Sequence, residues 1–318
     1  MNYNYLGVNL KHTRVVIFLE NLKILHLLKF KEYCTIYIMD TKRIRDEGLD
    51  KFYTKPEIVE MCISRIKDWD TWDLVVEPSA GSGNFFEQIP SVRKYGMDIK
   101  PECGTIDTLD FFEYTPSISG KILVIGNPPF GKNSSLAVKF FNHAAQWAER
   151  IAFVIPRTFR RTSIQNQLNM SFHVIHDEDI PIRPCSFEPV MSVKCCFQIW
   201  EKRDTVRKFV KLPTTHEDWD FLPFGPKDDR NQPTPPEGAD FALLAYGGDC
   251  GRIQTDNLEK LRPKSWHWIK SNINVDILKK RFESLDYSIS KDTARQNSIG
   301  KSDLVYLYSN KSVHKASP

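Results

Sequence analysis

The sequence predicts an α/β fold: a central sheet with helices on both faces over residues 39–203, followed by a small α+β element. Three observations predict it. Short apolar runs alternate with amphipathic, helix-like segments from residue 52 to about Trp200. A turn of small residues, Ala80-Gly81-Ser82-Gly83, follows the first of those runs. Acidic residues (Glu77, Asp98 and Asp110) stand at the ends of successive runs, where open sheets of this kind bind ligands.

Bulk properties narrow the class. At 318 residues and 41% hydrophobic, the chain is long enough for one large or two modest domains with a real core. Lys+Arg 44 against Asp+Glu 40 leaves a net charge of +4, so a surface for a polyanion must be a local patch. The 7 cysteines form no Cys-x-x-Cys pair, which argues against zinc or a disulfide framework and for a reducing compartment. The most apolar N-terminal run, residues 15–28, is broken by Glu20, Asn21, Lys23 and His26, unlike a membrane span or signal peptide. The expectation is a soluble intracellular protein of cytoplasm, nucleoid or nucleus, with no metal and no membrane partner. The oligomeric state is not encoded legibly.

Residues 1–38 are rich in Leu, Ile, Lys and Tyr, with no cap or turn signal. They read as a dispensable extension, with Met39 as the functional start. In Phe52-Tyr53-Thr54-Lys55-Pro56-Glu57, Thr54 and Glu57 have capping-box spacing and Pro56 suits a first helical turn. Ile58, Val59, Cys62, Ile63 and Ile66 supply a helical apolar stripe. Tyr53 and Thr54 can present hydroxyl and N–H groups to an anion.

Residues 72–76 read as a buried strand entering Glu77-Pro78-Ser79-Ala80-Gly81-Ser82-Gly83. The small residues let a ligand approach the backbone closely. A third glycine is missing, as is a Lys-Ser/Thr pair, which disfavours both dinucleotides and a P-loop. Residues 95–99 read as a second strand ending in Asp98, placed to meet ribose hydroxyls. The link from Asp98 to Asp110 is too short for a full crossover helix. Asp110-Phe111-Phe112 offers an acid followed by rings, suited to an adenine.

Residues 121–125 form a strand that exits into Asn127-Pro128-Pro129-Phe130. Two prolines fix two φ angles and remove two donors. The Asn side chain and the carbonyls are thereby held rigid beside a flat ring, a grip for a planar NH2 group. Ser134 or Ser135 can cap the next helix, whose buried face is Val138, Phe141, Ala145 and Ala148. Residues 151–156 are a further strand, and Arg157, Arg160 and Arg161 just past it suit phosphate contact. Two late strands at 172–176 and 192–200 flank a Pro-bounded loop with an exposed-looking Phe187.

After Glu201 the composition shifts. Residues 222–238 read as linker, 241–253 as strand-turn-strand around Gly247-Gly248, 266–270 as a strand and 275–285 as a helix. Residues 304–308 open a last helix or a strand. Interleaved Trp, Lys and Arg suit a nucleic-acid surface, so 204–310 reads as a substrate-recognition region and 311–318 as a disordered tail.

The ordered set F-Y-T-K-P (52–56), E-P-S-A-G-S-G-N-F (77–85), D-I-K-P (98–101), D-F-F (110–112) and N-P-P-F (127–130) resembles the class I S-adenosylmethionine-dependent methyltransferases, with their Rossmann-like sheet. More narrowly it is similar to the N6-adenine methyltransferases, in the motif order of the gamma-type DNA enzymes. The resemblance covers about residues 51–200. It implies S-adenosylmethionine as cofactor, with Tyr53, Thr54, Glu77, Pro78, Ala80, Gly81, Gly83, Asp98, Asp110 and Phe111 around it. It implies that Asn127 and the Pro128 carbonyl, fixed by Pro129, accept from the target N6 amine. Phe130 and Phe187 would stack on the flipped base, with Arg157, Arg160 and Arg161 on its phosphates. The polymer expected is DNA. RNA adenine is the first alternative, a protein-glutamine N5-methyltransferase the second, and a catalytically silent nucleic-acid-binding module the third.

Overall fold

The computed structural model describes residues 52–313. The expectations for residues 1–38, for Met39 as a start and for residues 314–318 lie outside the described residues.

Strands β2 (Leu74–Glu77), β3 (Lys94–Asp98), β4 (Asp107–Thr108), β5 (Ile122–Gly126), β6 (Arg150–Pro156), β7 (Phe172–Asp179) and β9 (Cys195–Lys202) form one sheet of seven strands, in the order β4-β3-β2-β5-β6-β9-β7. The first five run parallel, and β9 is antiparallel to both of its neighbours. This is the α/β sheet with helices on both faces that the sequence predicts. The central strands β5 and β6 are legible because they are buried on both faces. In β5, Ile122 and Val124 face one core, while Leu123 and Ile125 face the other.

Helices cover the two faces. Helix α1 (Pro56–Ser64) buries Val59 and Cys62, and α2 (Asn84–Gln88) buries Phe85, both in the core that holds Leu123. Helix α3 (Ser135–Ala144) buries Ala137, Val138, Phe140, Phe141 and Ala144 in the core that holds Val124. The short helix α4 (Thr162–Gln165) follows the turn after β6.

Three local expectations fail. Thr54 does not cap α1: Lys55 is the N-cap, without a side-chain bond, and Pro56 is in the first turn as expected. Thr54 lies instead in the two-residue strand β1 (Tyr53–Thr54), paired antiparallel with β8 (Phe187–Glu188). Phe187, opposite Thr54, is 1% exposed and sits in the core with Ile125 and Val154. It is therefore a packing residue that holds β1 in place, and it presents no ring to a substrate. The Ser134 hydroxyl, too, bonds Thr158 Oγ1 and does not cap α3.

Beyond β9, strands β10 (Trp219–Phe221), β11 (Phe241–Leu244), β12 (Ile253–Gln254) and β13 (Trp266–Ser271) form a second, antiparallel sheet in the order β10-β13-β11-β12. Helices α5 (Val275–Glu283) and α6 (Lys301–Val313) pack on it through Leu278, Phe282, Leu304, Val305 and Tyr308. Residues 304–308 are thus helical, and the helix continues through Val313, where the sequence suggests tail from 311 onward. Trp219, Trp266 and Trp268 are 1%, 7% and 1% exposed. These indoles fill the core of the small sheet, which corrects the expectation that they face nucleic acid. No helix among the described residues is long and apolar enough to cross a membrane.

Candidate active site

Strand β2 is the switch point of the sheet: the chain moves from β2 to β3 on one side and returns to β5 on the other. A crevice opens outside the carboxyl ends of β2 and β5, where such sheets bind ligands. Glu77 ends β2, Asp98 ends β3, and Asn127 directly follows β5.

A cavity of about 200 Å³ lies there, and Tyr53, Gly81, Asp98, Asp110 and Asn127 share its lining. Gly81 has φ +49°, and a Cβ there would stand 2.7 Å from the Tyr53 ring, so neither conformation nor space admits a side chain. The Asp98 carboxylate ties the site together, accepting from Gly81 N at 3.0 Å and from Lys100 N at 2.8 Å. Asp110 accepts from Phe112 N at 2.9 Å. Phe111 is buried and stacks on Phe140, with centroids 5.1 Å apart. The rings and apolar chains with open faces are its neighbours. Phe112 is 40% exposed and Ile99 is 56% exposed, and both line the cavity. Sequence reasoning missed Ile99, although an apolar residue directly after a strand-end acid was the signal available.

A smaller recess of about 30 Å³ adjoins this cavity, lined by Thr54, Glu77, Ala80, Ser82 and Asn84 among others. Four of its lining residues carry a polar atom buried without a hydrogen-bond partner among the described residues: Thr54 Oγ1, Glu77 Oε2, Ser82 Oγ and Asn127 Oδ1. Asn84 Nδ2 donates to the Thr54 carbonyl at 2.8 Å and fixes that strand over the turn. Tyr53 OH is engaged elsewhere, donating to Glu102 at 2.6 Å. Burial pushes the Glu77 carboxyl well above the usual range, opposed by a backbone N–H from Phe86.

That shift has a testable sign. A carboxyl whose folded pKa lies above its unfolded value of about 4.3 keeps its proton longer in the fold. Its contribution to stability is complete below that value and is lost as pH rises toward the folded pKa. Glu77→Gln is expected to flatten the fall in Tm as pH rises above about 4. Parallel slopes for the two proteins in a calorimetric pH series would contradict this.

Asn127 joins the first cavity to a second of about 470 Å³, which is also lined by Pro128, Pro129 and Phe130. Its Nδ2 donates to the Phe52 carbonyl at 2.9 Å, and Ser79 Oγ donates to its own carbonyl at 3.2 Å. The amide is therefore oriented, and its Oδ1 is left buried without a partner among the described residues. Phe52 was not singled out from sequence, yet its carbonyl sets this orientation. After Phe130 the chain winds tightly: Gly131, Asn133 and Ser134 have φ of 67°, 53° and 64°. The turn brings Leu136 N and Ala137 N onto the Phe130 carbonyl.

The three arginines after β6 do not form the expected phosphate-facing cluster. Arg157 pairs with Asp179, and Arg160 with Asp177, Asp179 and Asp292. Arg161 pairs with Asp303 at 3.1 Å and donates to the carbonyls of Asp292, Ile289 and Ser298. Their charge is neutralised internally, and Arg161 and Arg160 tie the turn after β6 to the C-terminal unit. Only Arg161 reaches the lining of the second cavity.

No family model matches the chain, and no curated protein matches it. Solved structures do. The 23S rRNA methyltransferase ErmE is 16% identical, over 49% of this chain and 71% of its own, with a TM-score of 0.38. A putative RNA methyltransferase from Pyrococcus horikoshii is 16% identical, over 46% and 82%, at 0.33. A putative class I S-adenosylmethionine-dependent methyltransferase from Listeria monocytogenes is 13% identical, over 50% and 63%, at 0.38. Likenesses this distant concern the sheet and say nothing of what this chain acts on.

Proposed function

We propose that the protein binds S-adenosylmethionine and transfers its methyl group to the N6 amine of adenine in nucleic acid, with DNA the first expectation. The observation that carries this reading is Asn127 Oδ1, an oriented, buried acceptor without a partner among the described residues, at the junction of two cavities.

The residues fit the cofactor. Asp98 suits ribose hydroxyls, Asp110 an adenine amine, and Ile99 with Phe112 the faces of the purine. Glu77 Oε2 suits an ammonium, while Thr54 Oγ1 and Ser82 Oγ suit a carboxylate, which accounts for three otherwise unpaired buried atoms. The bound sulfonium would supply an activated methyl group. Burial raises the Glu77 carboxyl and an adjacent ammonium would favour its ionised form, so binding would be linked to proton release and affinity should rise with pH.

The second cavity is large enough for a base taken out of its stack, with Phe130 as the ring beside it. An exocyclic adenine amine is a poor nucleophile, because its lone pair is conjugated with the ring. Asn127 Oδ1 and the Pro128 carbonyl, both acceptors, would draw the NH2 group toward tetrahedral geometry and localise that pair. They also stabilise the positive charge that grows on nitrogen as the new C–N bond forms. Rigid prolines hold both acceptors before the substrate arrives, which contributes proximity and orientation.

Transfer of tritiated methyl to DNA, rRNA and tRNA in parallel, followed by nucleoside mass spectrometry, tests this reading. N6-methyladenine is expected, in DNA first; its appearance in RNA alone would move the assignment to RNA. Its absence from all three would defeat the proposal.

A further inference from the structure

The second cavity has a wall that comes from outside the seven-stranded sheet. Thr293, Ala294, Arg295 and Ser298, in the loop before α6, face Asn127 and Phe130 across it. The main sheet and its turn after β6 pin this loop from several points. Lys194 Nζ donates to the Lys291 carbonyl at 2.9 Å and to Asn297 Oδ1 at 2.8 Å, and Ala294 O accepts from Lys194 N at 2.8 Å. Arg161 holds the Asp292 and Ser298 carbonyls.

Within this fixed loop, Thr293 is 7% exposed, and its Oγ1 is buried without a hydrogen-bond partner among the described residues. An unsatisfied buried hydroxyl costs free energy that a ligand bond recovers. Arg295 is exposed and makes no ion pair among the described residues, unlike Arg161, which lines the same cavity.

We infer that residues 292–298 are the wall that reads the target nucleotide: Thr293 Oγ1 donates to a ring nitrogen beside the exocyclic amine, and Arg295 pairs with the adjoining phosphate. This rests on the methyltransferase reading above. The wall is preorganised, so recognition requires little ordering of the loop. It also assigns the phosphate contact, expected at Arg157, Arg160 and Arg161, to a cation that makes no ion pair among the described residues.

The test uses the full chain with an oligodeoxynucleotide carrying one central adenine, its ribo counterpart, and versions with 1-deazaadenine or 7-deazaadenine at that position. Thr293→Val is expected to raise KM for the preferred oligonucleotide about tenfold, on the scale of one lost hydrogen bond, with cofactor affinity unchanged. The variant should no longer distinguish adenine from the deaza base that the wild type rejects. Arg295→Ala should lower the slope of log Kd against log salt by about one, and Arg295→Lys should restore it. A merely structural role moves neither the deaza discrimination nor the salt slope. Unchanged discrimination in Thr293→Val, or an unchanged slope in Arg295→Ala, overturns the corresponding contact. If neither oligonucleotide is methylated, the enzymatic reading falls, and the wall is judged by deaza-base affinity and salt slope in binding alone.

Discussion

Asn127→Ala is expected to lower methyl transfer by about 10²–10³-fold, or roughly 2.7–4 kcal/mol of barrier, the usual effect of deleting one preorganised electrostatic contact to a transition state. Cofactor affinity should stay close to wild type. The residues assigned to its ammonium, ribose and adenine are Glu77, Asp98 and Asp110, none of which bonds the Asn127 side chain in the structure. Asn127→Asp separates the two jobs of the amide. It keeps an acceptor but loses the donor that ties Asn127 to the Phe52 carbonyl at 2.9 Å. Its activity should therefore fall between wild type and Asn127→Ala. Single-turnover transfer, with calorimetry for the cofactor, reads both variants. Full turnover in Asn127→Ala would remove this residue from the chemistry; loss of cofactor binding in the same variant would recast it as a structural support of the first cavity.

The order in which the chain yields to reading follows the range of the forces involved. Strands β5 and β6 were legible because burial on both faces writes an apolar run into contiguous residues. Asp98 and Asn127 were legible for a related reason: a residue at the end of a recognised strand has its place in the crevice fixed by topology. Thr54 was misread because its capping-box spacing is a local cue, whereas its partner Phe187 is brought to it by sheet pairing across the fold. The same pairing buries Phe187, which a Pro-bounded loop seemed to expose. The arginines after β6 looked free because Asp177, Asp292 and Asp303 stand 17, 132 and 142 residues away from them. Thr293 carried no sequence signal at all. Only the folded chain brings it to the cavity that the NPPF turn also lines, with its hydroxyl buried and without a hydrogen-bond partner among the described residues.

Arg161→Met should be the most destabilising single change near the site, at about 3–5 kcal/mol, because it breaks a buried pair by removing one partner. Arg161 and Asp303 have side chains 12% and 10% exposed, 3.1 Å apart. Among the described residues, Asp303 retains only a 3.2 Å bond from Gly300 N once the guanidinium is gone. The Asp292 and Ser298 carbonyls lose the Arg161 donor at the same time, and the Ile289 carbonyl is left with the Asp292 N–H at 3.1 Å. Adding Asp303→Asn removes the orphaned charge, so the double variant should recover part of the loss, and the two effects should be clearly non-additive. Urea unfolding of the four proteins measures this directly. The same guanidinium holds the loop that carries Thr293 and Arg295, so Arg161→Met should also raise KM for the nucleic acid while leaving cofactor affinity unchanged. A wild-type midpoint in Arg161→Met would show that Arg160 and Lys194 suffice to dock the C-terminal unit. Equal losses in the single and double variants would show that the carbonyl bonds, and not the charge pair, make the clasp.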